Sequence, residues 1–220
     1  MKNQVAAGLN MGIAGIPWWT TDIGGFFGAN INDPEFHELL VRWFEYGCFC
    51  PVMRLHGYRW PLQPQYGTTG GATCVSGAPN EVWSYTDQVC EILSDYLRLR
   101  ERMLPYITEL MEEAHEKGTP VMRPLFYDFP EDKESWNVET EYMFGPKVLV
   151  KPITDADARE TDVYLPGGAS WTNAWTGETF EGGQKVHVAA PIEQIPLFTR
   201  DGYKPVSYTH LRAHETRGNL

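Results

Sequence analysis

The sequence lacks the features that mark membrane and nucleic-acid proteins. Its 220 residues contain no apolar run near the roughly 20 residues that a membrane-spanning helix needs. It has 18 lysines and arginines against 29 aspartates and glutamates, a formal net charge of -11. Phosphate backbones and anionic membrane surfaces repel such a chain. We therefore expect no nucleic-acid partner and no membrane partner.

The motifs of common cofactor enzymes are absent as well. The chain has no glycine-rich phosphate or dinucleotide loop, no HExxH pair, no CxxC pair and no GxSxG serine. Phosphate, nicotinamide and zinc chemistry are therefore unsupported, and we expect no cofactor and no metal. The first 17 residues carry one lysine and a broken apolar stretch, which is a poor match to a signal peptide.

The four cysteines do not follow a metal-ligand spacing. Cys48 and Cys50 lie within an apolar segment, while Cys74 and Cys90 stand apart from them and from each other. We interpret all four as buried free thiols. Free thiols are typical of a reducing compartment, which favours the cytoplasm. Nothing in the sequence sets the oligomeric state.

What the chain has in excess is tryptophan. It contains eight, and aromatic residues make up 13% of the sequence. Large aromatic side chains usually fill a core. The alternative is a sugar site, because the negative face of an aromatic ring attracts the polarised C–H face of a pyranose. Composition alone favours the core.

Residues 4–116 predict α/β structure, because helical and short apolar segments alternate along them. Such alternation is typical of parallel strands joined by helices. In chain order we predict a helix over 4–13, a strand in GIPWW (15–19), a loop in TTDIGGFFG, a helix from Asp33-Pro34, a strand in FCPVMRL (49–55), a long loop over 57–79 and a helix from about Ser84 to Glu116.

After Gly118 the pattern changes to all-β. Short strand-like runs are broken at close, regular spacing by Gly, Pro, Asn and Asp, which predicts a β-sandwich over 117–204. Residues 205–220 lose the apolar alternation, and we interpret them as a non-native tail. We exclude His210 and His214 from any site for this reason. A genuine disordered tail is the alternative.

Two polar clusters follow the predicted strands. Asp22 comes after the first strand, and Arg54 and His56 come at the end of the second. The carboxyl ends of neighbouring parallel strands meet at one edge, so these side chains should lie close together. An Asp that caps a loop and a structural His are the plain alternatives. Trp18, Trp19 and Phe26 flank Asp22, and we therefore favour a site for a hydroxylated ligand.

Five segments carry a resemblance to a known family. WWTTDIGGFF, RWFEYGCFCPVMRLHG, LRERMLPYITELMEEAHEKGTPVMRPLFYDFPED, EYMFGPKVLVKPI and VYLPGGASWTNAWTGETFEGG, in this order, closely resemble glycoside hydrolase family 31 over residues 4–204. The family contains retaining α-glucosidases and α-xylosidases. The resemblance implies the C-terminal portion of a (β/α)8 barrel over 1–116, comprising the last two βα units and a terminal helix, followed by a β-sandwich domain over 117–204.

The resemblance also implies roles for individual residues. Asp22 and His56 match residues that line the pocket for the non-reducing sugar ring, and Phe26 matches an aromatic that packs near that ring. Trp18 or Trp19 contributes to the pocket wall, and Arg54 orients neighbouring groups. The implied substrate is an oligosaccharide or glycoside with a terminal α-linked glucose or xylose, and the choice between the two sugars stays open.

The catalytic carboxylates of the family are missing from these residues. Retaining hydrolysis needs two carboxyl groups about 5–5.5 Å apart, one as nucleophile and one as general acid/base. The WxDMNE and GDN motifs that carry them in the family do not occur here. We therefore predict a fragment of a retaining α-glycosidase, assign no catalytic residue, and expect the chain alone to be inactive. The alternatives are a non-catalytic carbohydrate-binding or scaffold protein and, less favoured, an unrelated α/β enzyme with Asp22 and His56 as an acid–base pair.

Overall fold

The first half of the chain consists of three long helices and one small parallel sheet. The computed structural model describes residues 1–204. Helix α1 spans Lys2–Ile13, α2 spans Pro34–Cys48 and α3 spans Asp87–Lys117, while strands β1 (Phe27–Asn30) and β2 (Tyr58–Trp60) pair in parallel. None of the helices within residues 1–204 is long and apolar enough to cross a membrane.

The helix ends follow local sequence signals. The Asp33 side chain accepts the Glu35 N–H at 3.0 Å, and Pro34 occupies the first helical position of α2, as predicted. Helix α3 begins at Asp87, three residues after the predicted start at Ser84, because the Thr86 side chain provides the cap by accepting the Val89 N–H. Gly118 ends α3 with a left-handed φ of 71°, a conformation that a residue without Cβ adopts readily.

The two predicted barrel strands are wrong in position. Residues 15–19 and 49–55 form no regular strand, and β1 and β2 instead begin after them, inside segments that we predicted as loops. The predicted segments still lie side by side, because Val52 donates to the Trp19 carbonyl at 3.1 Å and Ile23 donates to the Arg54 carbonyl at 3.4 Å. An apolar run encodes burial, whereas a strand also requires a continuous hydrogen-bonding partner.

The second half is an antiparallel β-sandwich, as predicted. The strands are β3 Met122–Pro124, β4 Tyr142–Phe144, β5 Val148–Val150, β6 Glu160–Leu165, β7 Ser170–Asn173, β8 Thr179–Glu181, β9 Gln184–Ala189 and β10 Leu197–Arg200. One sheet of six strands has the order β3-β4-β5-β10-β7-β8, and β6 and β9 form a separate pair. A short helix, α4 (Leu125–Asp128), follows β3.

Strands β3, β4 and β5 of the six-stranded sheet are buried on both faces. Tyr142 and Phe144 of β4 join the core that contains the three long helices, while Met143 between them joins the core shared with β6 and β9. This division follows from the period of two along a strand. The central strands therefore read as uninterrupted apolar triplets, YMF and VLV.

A buried arginine joins the two halves. Arg42 on α2 is 3% exposed and lies 3.1 Å from the carboxylate of Glu45. Its guanidinium also donates to four backbone carbonyls of the sandwich half, those of Ala158, Ala190, Pro191 and Gln194, at 2.6–3.3 Å. Glu45 in turn accepts the Tyr96 hydroxyl of α3 at 3.1 Å. Burial raises the pKa of Glu45 to about 7 against the opposing effect of Arg42.

The prediction that all four thiols are buried is correct for two of them. Cys48 and Cys50 are fully buried, and burial raises the pKa of each to about 12. Cys74 is exposed, and Cys90 is partly buried. The expectation failed for Cys74 because residues 61–77 of its long loop include no buried residue, so that no packed core covers the thiol.

Candidate functional site

Asp22 and Arg54 meet as an ion pair. The Arg54 guanidinium donates to Oδ1 of Asp22 across the two segments that lie side by side. The Asp22 side chain is 24% exposed and that of Arg54 is 50% exposed, so both remain accessible to a ligand. The pair presents a carboxylate acceptor beside a multivalent donor, a combination suited to sugar hydroxyl groups.

His56 packs against Phe26. Their ring centroids lie 5.5 Å apart with an angle of 29° between the planes, and 59% of the Phe26 side chain is exposed. The Tyr58 N–H donates to the Phe26 carbonyl at 2.7 Å, which fixes the two segments next to each other beyond the rings. An imidazole and an aromatic face thus lie on the same pair of segments as the Asp22–Arg54 ion pair.

The two adjacent tryptophans lie in different environments. Trp18 is 61% exposed and is available to a ligand. Trp19 packs against the helical core, and its Nε1 donates to the Tyr46 hydroxyl at 3.3 Å. Of the two candidates for the pocket wall, Trp18 therefore has the free surface, and Trp19 anchors the Asp22 segment to α2.

Arg59 is a supporting residue that the sequence analysis missed. It is fully buried and donates to the carbonyls of Ile23 at 3.0 Å and Gly25 at 2.7 Å. Its guanidinium also lies 5.0 Å from the centre of the Phe36 ring. Arg59 thereby holds the turn that follows Asp22. Arg59 lies within the segment predicted as one long loop over 57–79, and no pattern in that loop marks an arginine as buried.

The site is open. A cavity of about 540 Å³ lies next to it, and neither Asp22 nor His56 belongs to its lining, which consists of Gly57, Tyr58, Tyr66, Gly71, Ala72 and residues 74–78. Within residues 1–204, no three His, Cys, Asp or Glu side chains lie close enough together to hold a metal ion. The arrangement can bind and orient a hydroxylated ligand, while the two-carboxylate chemistry of glycoside hydrolysis requires groups beyond Asp22.

Comparison with known protein families agrees with this architecture. The model of the glycosyl hydrolases family 31 TIM-barrel domain matches residues 1–110, and that of the glycosyl hydrolase family 31 C-terminal domain matches residues 118–203. The helices and parallel strands thus form the C-terminal part of a glycosidase barrel, and a β-sandwich domain follows it. The chain belongs to glycoside hydrolase family 31. The exact boundary between residues 116 and 117 stays a prediction.

Individual relatives cover almost the whole chain. It is 39% identical over 202 residues to an alpha-xylosidase of Saccharolobus solfataricus, covering 92% of this chain and 25% of that protein. It is 35% identical to alpha-glucosidase 2 of Bacillus thermoamyloliquefaciens, covering 88% of this chain and 22% of that protein. A crystal structure of a soil-metagenome GH31 alpha-xylosidase complexed with xylose has 52% identity and a TM-score of 0.88, covering 92% of this chain and 30% of that one. The chain therefore spans about a quarter of the length of these curated relatives.

Proposed function

We propose that this chain provides part of the sugar-binding site of a retaining α-glycosidase that removes terminal α-linked xylose or glucose from oligosaccharides. The observation that carries the proposal is the pairing of Asp22 with Arg54 next to the stack of Phe26 on His56. In this proposal Asp22 accepts hydrogen bonds from ring hydroxyls, Arg54 and His56 orient the carboxylate and the ring, and Phe26 and Trp18 cover its apolar face.

Xylose is the first sugar to test. A relative at 52% identity was solved with xylose bound, and other relatives are named as alpha-xylosidases or alpha-glucosidases. No charged side chain other than Asp22 and Arg54 belongs to the proposed contacts, and these two neutralise each other, which favours a neutral glycoside over a charged ligand.

The Asp22→Asn variant tests the proposal. The whole chain, as parent and as variant, is titrated with methyl α-D-xyloside and with methyl α-D-glucoside, and ligand-observed NMR measures the affinity for each sugar. A hydrogen bond to a charged group contributes about 1.5–3 kcal/mol, so the variant should bind the preferred sugar at least about tenfold more weakly. Asp95→Asn is the matched control, because Asp95 is also paired with an arginine, Arg98 at 2.7 Å, on the surface of α3. Equal affinity in Asp22→Asn and the parent, or no sugar binding by the parent, contradicts the proposal.

Turnover separates the proposed function from its alternatives. The 220-residue chain should not hydrolyse p-nitrophenyl α-D-xyloside, because the two carboxylate motifs of the family do not occur in it. Turnover that disappears in both Asp22→Asn and His56→Ala would favour an acid–base pair formed by these two residues instead. Sugar binding without turnover in every longer reading frame that includes these residues would favour the non-catalytic alternative.

A further inference from the structure

Arg100 of α3 binds the backbone at the point where α2 ends. Its guanidinium donates to three carbonyls, those of Cys48 at 2.7 Å, Cys50 at 2.6 Å and Pro51 at 2.7 Å. Cys48 is the last residue of α2, and the final carbonyls of a helix have no partner within the helix. The negative end of the helix dipole lies at the same place, which favours a cation there. We call residues 48–51 the carbonyl turn.

The carbonyl turn is buried and is held by side chains. All four of its residues are buried, and none of them belongs to a regular strand. Its fourth carbonyl, that of Phe49, accepts the Tyr142 hydroxyl of β4 at 3.0 Å. A buried carbonyl without a donor is costly, so these side-chain donors take the place of a strand ladder. Arg100 and Tyr142 thus fix the first part of the segment that was predicted as a strand over 49–55.

The carbonyl turn leads directly into the candidate site. Val52, the residue that follows it, donates to the Trp19 carbonyl at 3.1 Å. The Arg54 carbonyl accepts the Ile23 N–H at 3.4 Å, and the Arg54 guanidinium pairs with Asp22. Arg54 lies three residues beyond the end of the turn. A shift of the turn therefore changes the place at which the guanidinium meets the Asp22 carboxylate.

We propose that Arg100 is a positioning residue for the sugar site, because it holds the carbonyl turn at the place from which Arg54 reaches Asp22. This inference rests on the proposed function, since it takes the ion pair of these two residues as a sugar contact. Arg100 itself touches no sugar. Its planar guanidinium carries five N–H donors in a fixed fork, which suits three carbonyls at once better than the single ammonium of a lysine does. The alternative is a helix cap that has no influence on the site.

Arg100→Met tests the inference through local amide exchange and sugar affinity in the whole chain. Loss of the three hydrogen bonds should free the carbonyl turn. The Val52 and Ile23 amides should then exchange at least about tenfold faster than in the parent, because one hydrogen bond to a charged group corresponds to about this factor. The affinity for methyl α-D-xyloside should fall by about the same factor. Tyr106→Phe is the matched control, because it removes a buried hydrogen bond of the same helix, to the Phe144 carbonyl at 2.9 Å, outside the carbonyl turn. It should lower the overall stability and leave both measurements unchanged.

Arg100→Lys carries the same test if Arg100→Met does not fold. It keeps the charge but cannot serve three carbonyls as the fork does, so both measurements should change in the same direction and by less. Parent exchange rates at Val52 and Ile23 overturn the inference and leave the proposed function standing. Faster exchange with the parent's sugar affinity, or equal acceleration in Tyr106→Phe, does the same, because Arg100 then has only a general structural role. No sugar binding by the parent chain overturns the proposed function, and the inference with it.

Discussion

Replacement of Arg42 should lower the free energy of unfolding more than replacement of any other side chain that joins the two halves. Its guanidinium contacts the Glu45 carboxylate and four carbonyls that lie 116 to 152 residues away in sequence. Arg42→Met keeps much of the side-chain volume but removes every one of these hydrogen bonds. Glu45, which has no exposed surface, must then stay charged without a counter-ion or take up a proton.

The expected loss is about 3–5 kcal/mol of unfolding free energy. Removal of one partner from a buried ion pair costs this much, because the remaining charge is left uncompensated. The four carbonyls act in the same direction, since each buried acceptor without a donor costs about 1–3 kcal/mol unless water reaches it. The individual costs are not additive, so we do not sum them. Even the lower value, about 3 kcal/mol, exceeds the contribution of a surface ion pair, which is about 1 kcal/mol at most.

Equilibrium unfolding in urea measures this loss, provided that the slope of free energy against urea is unchanged. Arg159→Met is the control, because Arg159 forms an exposed ion pair with Glu38 at 2.6 Å between the same two halves. Such a surface pair should contribute no more than about 1 kcal/mol. If Arg42→Met costs as little as Arg159→Met, the buried network does not hold the halves together and the reasoning is refuted.

Three other predictions concern pH, backbone and thiols. The folded-state pKa of Glu45, about 7, lies above its ordinary value of 4.5. The stability that protonated Glu45 contributes is therefore fully present below about pH 4.5 and is lost as the pH rises through 7. The free energy of unfolding should fall by up to about 1.4 kcal/mol per pH unit in this range. Glu45→Gln should flatten this slope in urea titrations from pH 4.5 to 8, and an unchanged slope would contradict the assignment. Gly57→Ala should lower the melting temperature, because the new Cβ would lie 2.5 Å from a backbone carbonyl at a φ of 154°, whereas Gly71→Ala in the same loop meets open space and should not. A thiol reagent should label exposed Cys74 rapidly in the native chain and the two fully buried thiols only after unfolding, and rapid native labelling of all four would show that the helical core is not closed.

Several parts of the fold were predictable because their causes are local. The start of α2 at Pro34 and the end of α3 at Gly118 depend on hydrogen bonds and dihedral angles within a few residues. The apolar triplets YMF and VLV, which belong to the predicted strand-like runs, each form a strand of the β-sandwich. The contact between Asp22 and Arg54 was also predictable, because the ends of successive parallel segments lie at one edge.

Residues of one type differ in ways that only long-range contacts explain. Arg42 and Arg59 are buried, whereas Arg98 is 67% exposed, and no local pattern separates them. Trp18 and Trp19 are adjacent, yet only Trp19 packs against the core.

The sequence by itself determined the start of α2, the end of α3 and the change from α/β to all-β structure, because these follow from neighbours along the chain. Only the tertiary structure decided where the parallel strands pair, which arginines lie inside, and that the rings of Phe27 and Tyr58 stack on each other. Each of these depends on partners far apart in sequence, whose approach no short segment encodes.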